Sequence, residues 1–331
     1  MIKEKILITG ANGFIGKFLV RDALEKGLEV YTTVRKNSDV SSLKELGAQI
    51  IITDYNHTEN LVDLFRNGGF QYIVHNAGLT KSPSQDEFMR VNKGLLVNLI
   101  NAINISGVRI KKFIFVSSVA AYGPADFQSD HIVSDSSKPH PVTNYGRSKL
   151  AAEEFLRAQS HIPYIIIRPT AVYGPGERDL FNVFQMINKH VDLQPALLGQ
   201  KLTFIHVKDL ANLVLTATLS TKINKAYFAT DGNIYTGSAL NGFIKEFLGK
   251  RTINIKIPIF IMKALAYLTE KVAGLWDSYP IFNVDKVNEF KAKSWNCDVS
   301  NLVPDLGFRA EYDLVNGIPQ TIAWYKENKW L

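Results

Sequence analysis

Six short apolar runs recur through the first half of the chain: KILIT, LEVYTTV, AQIIIT, QYIVHN, KKFIFVSS and YIIIRP. Each is rich in Ile and Val and apolar at successive positions. Each must therefore be covered on both faces. The segments between them are long enough for crossover helices. The clearest, DEFMRVNKGLLVNLINAINISG, predicts one long helix closed by Gly107. Strands buried on both sides and joined by helices make a parallel sheet. The pattern therefore predicts an α/β, doubly wound (Rossmann) sheet.

After Arg168 the rhythm changes, with loops in RPTAVYGPGERD and DLQPALLGQK. LTFIHV, followed by the helical KDLANLVLTATLS, is expected to return to the sheet, and AYFAT to be a last strand. From about Asp231 the sequence is mixed, aromatic and richer in Pro. The expected division is a dinucleotide-binding domain over residues 1–168 plus about 201–230, and a smaller mixed substrate lobe over 169–200 plus about 231–331.

Composition narrows the class. The formal charge is 38 − 31 = +7, spread along the chain. That balance favours acidic ligands in general. No nucleic-acid motif accompanies it, so no nucleic-acid partner is expected. A single cysteine, Cys297, excludes an internal disulfide framework and fits a reducing compartment. The N-terminal MIKEKILITG runs straight into a strand, with no signal peptide ahead of it. The stretch INIKIPIFIMKALAYL is broken by Lys256, Pro258 and Lys263, too interrupted to span a bilayer. A cytoplasmic location is expected. No spacing of His, Cys and carboxylates suggests a metal.

ITGANGFIG sets Gly10, Gly13 and Gly16 between a predicted strand and a predicted helix. Gly10 suits the tight turn, Gly13 lets the backbone approach a pyrophosphate, and Gly16 lets the helix pack close to the strand. Phosphates placed there meet free N–H groups and the favourable end of the helix dipole. The end of the second strand selects the nucleotide. An acid there would bind the 2′-hydroxyl of NAD. YTTVRKNSD offers Arg35 and Lys36 instead, which suit a 2′-phosphate. NADP is the preferred cofactor and NAD the alternative. Asp39 competes as a helix cap or ribose ligand, and a surface role for Arg35 stays open.

Several stretches, in order, now point one way: TGANGFIG, HNAG, FVSSVAAYG, YGRSK, RPTAVYGPGE and FIHVKDLA. Together they resemble the extended short-chain dehydrogenase/reductase family, within the NAD-dependent epimerase/dehydratase superfamily. The motifs are most similar to its 3β-hydroxysteroid dehydrogenase and dihydroflavonol reductase branch. The similarity reaches the C-terminal LGFRAEYDLVNGIPQTIAWYKENKWL. It implies an enzyme with Ser118, Tyr145 and Lys149 as catalytic residues, and Ser117 as the alternative to Ser118. Tyr145 and Lys149 lie one helical turn apart. To work near neutral pH the phenol would need a downward shift of about three units, roughly 4 kcal/mol, part of it from the lysine ammonium. Ser118 would donate to a substrate carbonyl.

The same resemblance implies cofactor contacts along the glycine loop through Asn12, Phe14 and Ile15, and at Asp54 with its neighbour Tyr55. Further contacts are implied at Asn76, Ala77 and Gly78, at Val116 and Ser117, and at Pro169, Thr170 and Val172. Lys149 would hold the nicotinamide ribose. Asn92 is either a residue beside the cofactor loop or a structural side chain bridging backbone groups. Thr80, Lys81, Tyr122, Ala171 and Phe181 are candidate substrate residues beside Ser118. His206 and His75 are expected to be structural rather than catalytic.

The family divides between nucleotide-sugar epimerases or dehydratases and enzymes that interconvert ketones and secondary alcohols on apolar molecules. Arg35 favours the second class. So does Ala171, where the sugar enzymes commonly carry an asparagine. Val119 after Ser118 disfavours dehydration. The lobe also carries Phe181, Phe184, Met186, Leu197, Leu198, Ile257, Phe260 and Met262, although apolar residues there are more often core. The expected reaction is hydride transfer on a small sterol-, flavonoid- or lipid-like substrate. The alternatives are a sugar epimerase/dehydratase with bound NAD and a non-catalytic NADP-binding protein. The expected partners are a small molecule and, compatibly, a second copy of the chain. Peripheral contact with an apolar substrate's membrane also fits this reading.

Overall fold

A computed structural model of the chain describes residues 3–82, 84–124, 131–159, 161–196, 199–273 and 283–331. Its centre is a seven-stranded sheet in which every pairing is parallel. Six strands come from the six apolar runs: β1 (Lys5–Thr9), β2 (Glu29–Val34), β3 (Gln49–Ile52), β4 (Tyr72–His75), β5 (Lys112–Val116) and β6 (Tyr164–Pro169). The seventh is Lys225–Ala229, the expected AYFAT strand. Their spatial order is β3-β2-β1-β4-β5-β6 followed by Lys225–Ala229. The order reverses beside β1, which pairs with both β2 and β4. Ligands of such sheets bind at that switch point, outside the carboxyl ends of the strands.

Side-chain alternation divides the core into two layers. Ile6, Ile8, Val74, Ile114 and Ile167 belong to one buried cluster with Leu19 and Val20 of helix Phe14–Glu25 and Leu210 and Val214 of helix Val207–Leu219. Leu7, Ile73, Phe113, Phe115 and Ile166 belong to the other, with Leu61, Leu99, Ile100 and Leu156 from helices Thr58–Gly68, Gly94–Ser106 and Asn144–Ala158. Two layers explain why the runs do not alternate. A third cluster, around Tyr173, Phe184, Phe204, Leu240, Ile318 and Tyr325, builds the lobe beside the sheet.

Two expectations change. The long helix closes at Gly107, in the left-handed conformation, but it is not regular. Helix Gln85–Phe88 passes into a π turn at Met89–Lys93 before Gly94–Ser106 begins. Such turns frequently mark functional sites. LTFIHV does not join the main sheet. Phe204–His206 pairs with Ala171–Tyr173 in a separate two-stranded sheet. The seventh position goes instead to Lys225–Ala229, which pairs along β6 from Ile165 to Pro169.

Among the described residues, no helix is long and apolar enough to cross a membrane.

Candidate active site

The glycine loop leaves β1 at the switch point. Gly10 takes φ +69°, and a Cβ on it would lie 2.7 Å from the Ala77 amide nitrogen. A Cβ on Gly16 would lie 2.2 Å from the Gly10 carbonyl oxygen. Both positions exclude any side chain. Gly13 begins helix Phe14–Glu25, with no side-chain cap and no acid in the first turn. Its free N–H groups therefore suit a pyrophosphate. Asn12 is exposed in the turn. Phe14 packs edge-on against Phe18, with ring centroids 6.2 Å apart, and Ile15 packs on the core.

Arg35 and Lys36 follow β2 as exposed side chains. Asp39 does not reach toward them. Its carboxylate accepts from the Ser41 amide at 3.0 Å and from the Ser41 hydroxyl, and these bonds hold it below the usual carboxylate range. It thus closes the turn that leads into helix Ser41–Leu46, whose N-cap position is Val40. Asp54 is exposed and accepts from the Asn56 amide and side chain, both at 2.9 Å. Tyr55 is a correction. Its side chain turns into the core, where the phenol bonds the Thr33 hydroxyl and burial pushes it up to about 12. Only its backbone remains at the strand end.

Behind β4, Asn76 donates to the Gly10 carbonyl at 3.3 Å, and the Ala77 amide donates to Thr9 Oγ1 at 3.1 Å. Asn92, in the π turn, is buried and fully used. Its Oδ1 accepts from Leu79 N at 2.7 Å, and its Nδ2 donates to Leu79 O at 3.0 Å and Ser148 Oγ at 2.9 Å. The bridging role is the one the geometry gives it. It ties the loop after β4 to the helix that carries Tyr145. At Gly78 a Cβ would sit 2.8 Å from Asn92 Oδ1 and 3.4 Å from Lys149 Nζ.

Ser118, Tyr145 and Lys149 come together above β5. Thr143 caps helix Asn144–Ala158 through its hydroxyl, which accepts from Gly146 N at 3.0 Å, and so fixes where Tyr145 begins the first turn. The Ser118 hydroxyl lies near enough to the Tyr145 phenol to favour its ionised form. Ser118 Oγ also accepts from Ala120 N at 3.1 Å. Lys149 Nζ donates to the Val116 carbonyl at 2.9 Å and lies 6.0 Å from the Tyr145 ring centroid.

The phenol is not lowered as the sequence suggested. Burial pushes Tyr145 up to about 12, against the Ser118 hydrogen bond, which acts downward, and the Glu289 carboxylate acts upward as well. Burial also brings Lys149 down to about 8, opposed by Glu153. Both groups pay for leaving water, and each moves toward its neutral form.

Ser117 does not face this site. It is buried, and its hydroxyl donates to Glu153 Oε1 at 2.5 Å. Glu153 takes a bidentate bond from Arg168, at 3.0 Å from Nε and 2.7 Å from Nη2. Arg168 Nη1 donates to Asp135 at 2.8 Å. Sequence reasoning missed this network. Its signal was a charged residue at the end of a strand apolar on both faces. Tyr122 joins it through Asp135, at 3.2 Å, and through the Arg168 guanidinium, 4.0 Å from its ring centroid. Tyr122 is thus held within this network, with its ring buried.

Thr170 is tied by its amide to the Ala229 carbonyl at 3.1 Å, directly after the buried Pro169. Val172 pairs with Ile205 in the small sheet, while Ala171 is exposed. Thr80 is exposed, and Lys81 pairs with Asp179. Phe181 has neighbours in the lobe. It is half-buried and packs against Tyr325 and Trp330 at the edge of the third cluster, with centroids 4.8 and 5.1 Å away. Leu197 and Leu198 lie outside the described residues. Phe88, 6.0 Å from Tyr145 between ring centroids, is a site neighbour the sequence did not flag.

His206 is fully buried, with neither ring nitrogen partnered, and burial drives it down to about 3. It stays neutral against the Tyr312 ring at 4.5 Å. His75 accepts from or donates to Thr9 Oγ1 at 2.8 Å and is also pushed down to about 3. Among the described residues no cluster of His, Cys, Asp or Glu could hold a metal.

The comparisons with known proteins fit this geometry. The chain is 25% identical over 329 residues to the ceramide reductase of Caulobacter vibrioides, covering 98% of this chain and 96% of that one. It is 28% identical over 333 residues to the UDP-glucose 4-epimerase of Vibrio cholerae, with 96% and 94% covered. Its fold superposes on the UDP-glucose 4-epimerase of Thermus thermophilus in complex with NAD, at TM-score 0.76 and 21% identity, over 97% of this chain and 99% of that one. The NAD dependent epimerase/dehydratase family matches residues 6–227, from β1 through most of the seventh strand, and this chain belongs to it as an enzyme of the extended short-chain dehydrogenase/reductase type.

Proposed function

We propose that the enzyme interconverts a ketone and a secondary alcohol on a small apolar, lipid-like substrate, with NADP(H) as hydride carrier. One observation carries the reductive chemistry. Tyr145 stands beside Ser118 at the start of the helix that carries Lys149, and burial keeps its phenol protonated through the neutral range. It is poised to give a proton, which is what a carbonyl oxygen needs as hydride reaches its carbon. The end-to-end similarity to a ceramide reductase supports a lipid-like substrate.

The loop of Gly10, Gly13 and Gly16 fits a dinucleotide, because the close backbone packing at Gly10 and Gly16 leaves no room for a Cβ and the helix that follows begins with no side-chain cap on its N–H groups. When bound, the nicotinamide supplies the hydride. The chain's own residues do the rest. Ser118 orients the substrate oxygen by hydrogen bonding. Tyr145 transfers its proton to that oxygen. The Lys149 ammonium and the Ser118 hydroxyl then stabilise the phenolate until solvent reprotonates it.

A pH profile tests Lys149. Its ammonium titrates at about 8, whereas Tyr145 titrates at about 12. Reduction should therefore hold steady through neutral pH and fall as pH rises through about 8. Lys149→Arg keeps a charge there and should remove the fall. An unchanged profile would assign the titration to another group.

The nucleotide preference is tested at Arg35. A charge-assisted hydrogen bond is worth about 1.5–3 kcal/mol, less when exposed. NADPH should thus bind roughly tenfold to a hundredfold tighter than NADH, and high salt should shrink the gap. Arg35→Ala should weaken NADPH and leave NADH nearly untouched, both read by fluorescence titration. Equal affinities, or tighter NADH, would count against NADP. That outcome would favour the second reading, a sugar epimerase that retains NAD, which the Vibrio cholerae relative supports.

A further inference from the structure

Helix Ile259–Ala273 is apolar on two faces, and the described residues of the chain cover one of them. Met262 and Ala266 pack against Val287, with Ile259, Val284 and Phe290 around them. At 100° per residue the opposite face presents Phe260, Ile261, Ala264, Leu265, Tyr267 and Leu268. All six are exposed, Phe260 by 73% and Leu268 by 57%. A helix apolar all round is ordinarily buried. The exposed apolar series begins before the helix, in strand Ile253–Ile257, where Ile253 is 70% exposed.

The charge on the same segment says what covers it. Between Lys250 and Lys271 the cations are Lys250, Arg251, Lys256, Lys263 and Lys271, and the only acid is Glu270, so the balance is 5 − 1 = +4. Arg251, Lys256, Lys263 and Lys271 are exposed. Glu270 is turned inward, accepting from Val284 N at 2.9 Å. An isologous contact of this segment with its own copy would set a +4 segment against a +4 segment, with Glu270 as the one carboxylate on each side and turned inward. An anionic lipid surface satisfies both features. It buries the apolar face and pairs the cations with headgroups.

We propose that helix Ile259–Ala273 is an interfacial anchor that lies in the surface of an anionic bilayer. Phe260, Ile261, Leu265 and Leu268 enter the acyl boundary. Lys263 and Lys271 reach the headgroups along their aliphatic stems. The inner face of the helix rests on Val284–Phe290, whose Asp285 carboxylate accepts from Asn144 N at 2.9 Å, next to Tyr145. The anchor thus stands one helix away from the candidate active site. Delivery of a lipid-like ketone from the bilayer rests on the proposed function; the anchoring itself does not.

The test is cosedimentation of the whole protein with vesicles of phosphatidylcholine alone or mixed equally with phosphatidylglycerol. The wild type should bind the mixed vesicles about tenfold or more tightly than the neutral ones, with less binding at high salt. A Phe260→Ser, Leu268→Ser double variant should lose binding to both. Lys263→Glu with Lys271→Glu should lose the preference for anionic lipid. Thermal midpoint and turnover of a water-soluble ketone should be unchanged in both variants, because the altered side chains are exposed. A wild type that stays in the supernatant with both vesicles overturns the anchor, as does a serine variant that binds as well as wild type. A dimer that the serine variant dissolves, without vesicle binding, also overturns it and gives the face to a second copy. Vesicle binding by a protein inactive on every ketone would leave the anchor standing and strike the reductase reading instead.

Discussion

Replacing Tyr145 with phenylalanine is expected to lower kcat for ketone reduction by at least about a hundredfold, the usual scale for a positioned acid. Only one oxygen is removed. The ring keeps its contact with Phe88, and Lys149 keeps its bond to the Val116 carbonyl. Dinucleotide affinity should therefore stay close to wild type. The loss should appear in kcat and kcat/KM together, because the proton moves only in the transition state. Steady-state kinetics beside a dinucleotide titration would separate the two. A variant that kept most of its kcat would remove Tyr145 from the chemistry. Weakened dinucleotide binding with unchanged kcat would make the residue a cofactor support.

The second large effect is on stability. Glu153→Ala should destabilise the fold by about 3–5 kcal/mol, the cost of stranding a buried charge. The side chains of Arg168 and Glu153 are 0% and 1% exposed. Without Glu153, the guanidinium keeps its bond to Asp135 and its place over the Tyr122 and Phe228 rings. Neither replaces a bidentate carboxylate. Native proteins hold only about 5–15 kcal/mol in total, so the urea midpoint should fall sharply. Adding Arg168→Met should recover part of the loss, since no unpaired charge then remains, although alanine in place of Glu153 still leaves a cavity. Ser117 also loses its acceptor, and Ser118 follows it directly. A reduced kcat in the folded fraction is therefore expected as well. A loss under about 1 kcal/mol would mean that water reaches the pair and that it behaves as a surface bridge.

Much of this protein was legible in one dimension. Short Ile- and Val-rich runs can only be strands covered on both sides, so the parallel sheet followed from local pattern. Gly10 and Gly16 were readable because the turn and the close helix packing exclude a Cβ, and that constraint acts over a few residues. Tyr145 and Lys149 were readable because one helical turn fixes their spacing.

What the sequence could not determine depends on neighbours far along the chain. The direction of the Tyr145 shift depends on how much water the packed lobes remove, and desolvation outweighs the nearby lysine. Ser117 and Ser118 are alike in sequence. Only Glu153 and Arg168, brought together by the helix and β6, draw the first into the core and leave the second facing Tyr145. Phe181 and Phe260 are both aromatic residues of the same lobe. Tyr325 and Trp330 partly cover the one, and no described residue covers the other. Periodicity fixes which residues share a face of an element. The tertiary structure decides what that face meets, because burial is set by contacts between segments distant in the chain.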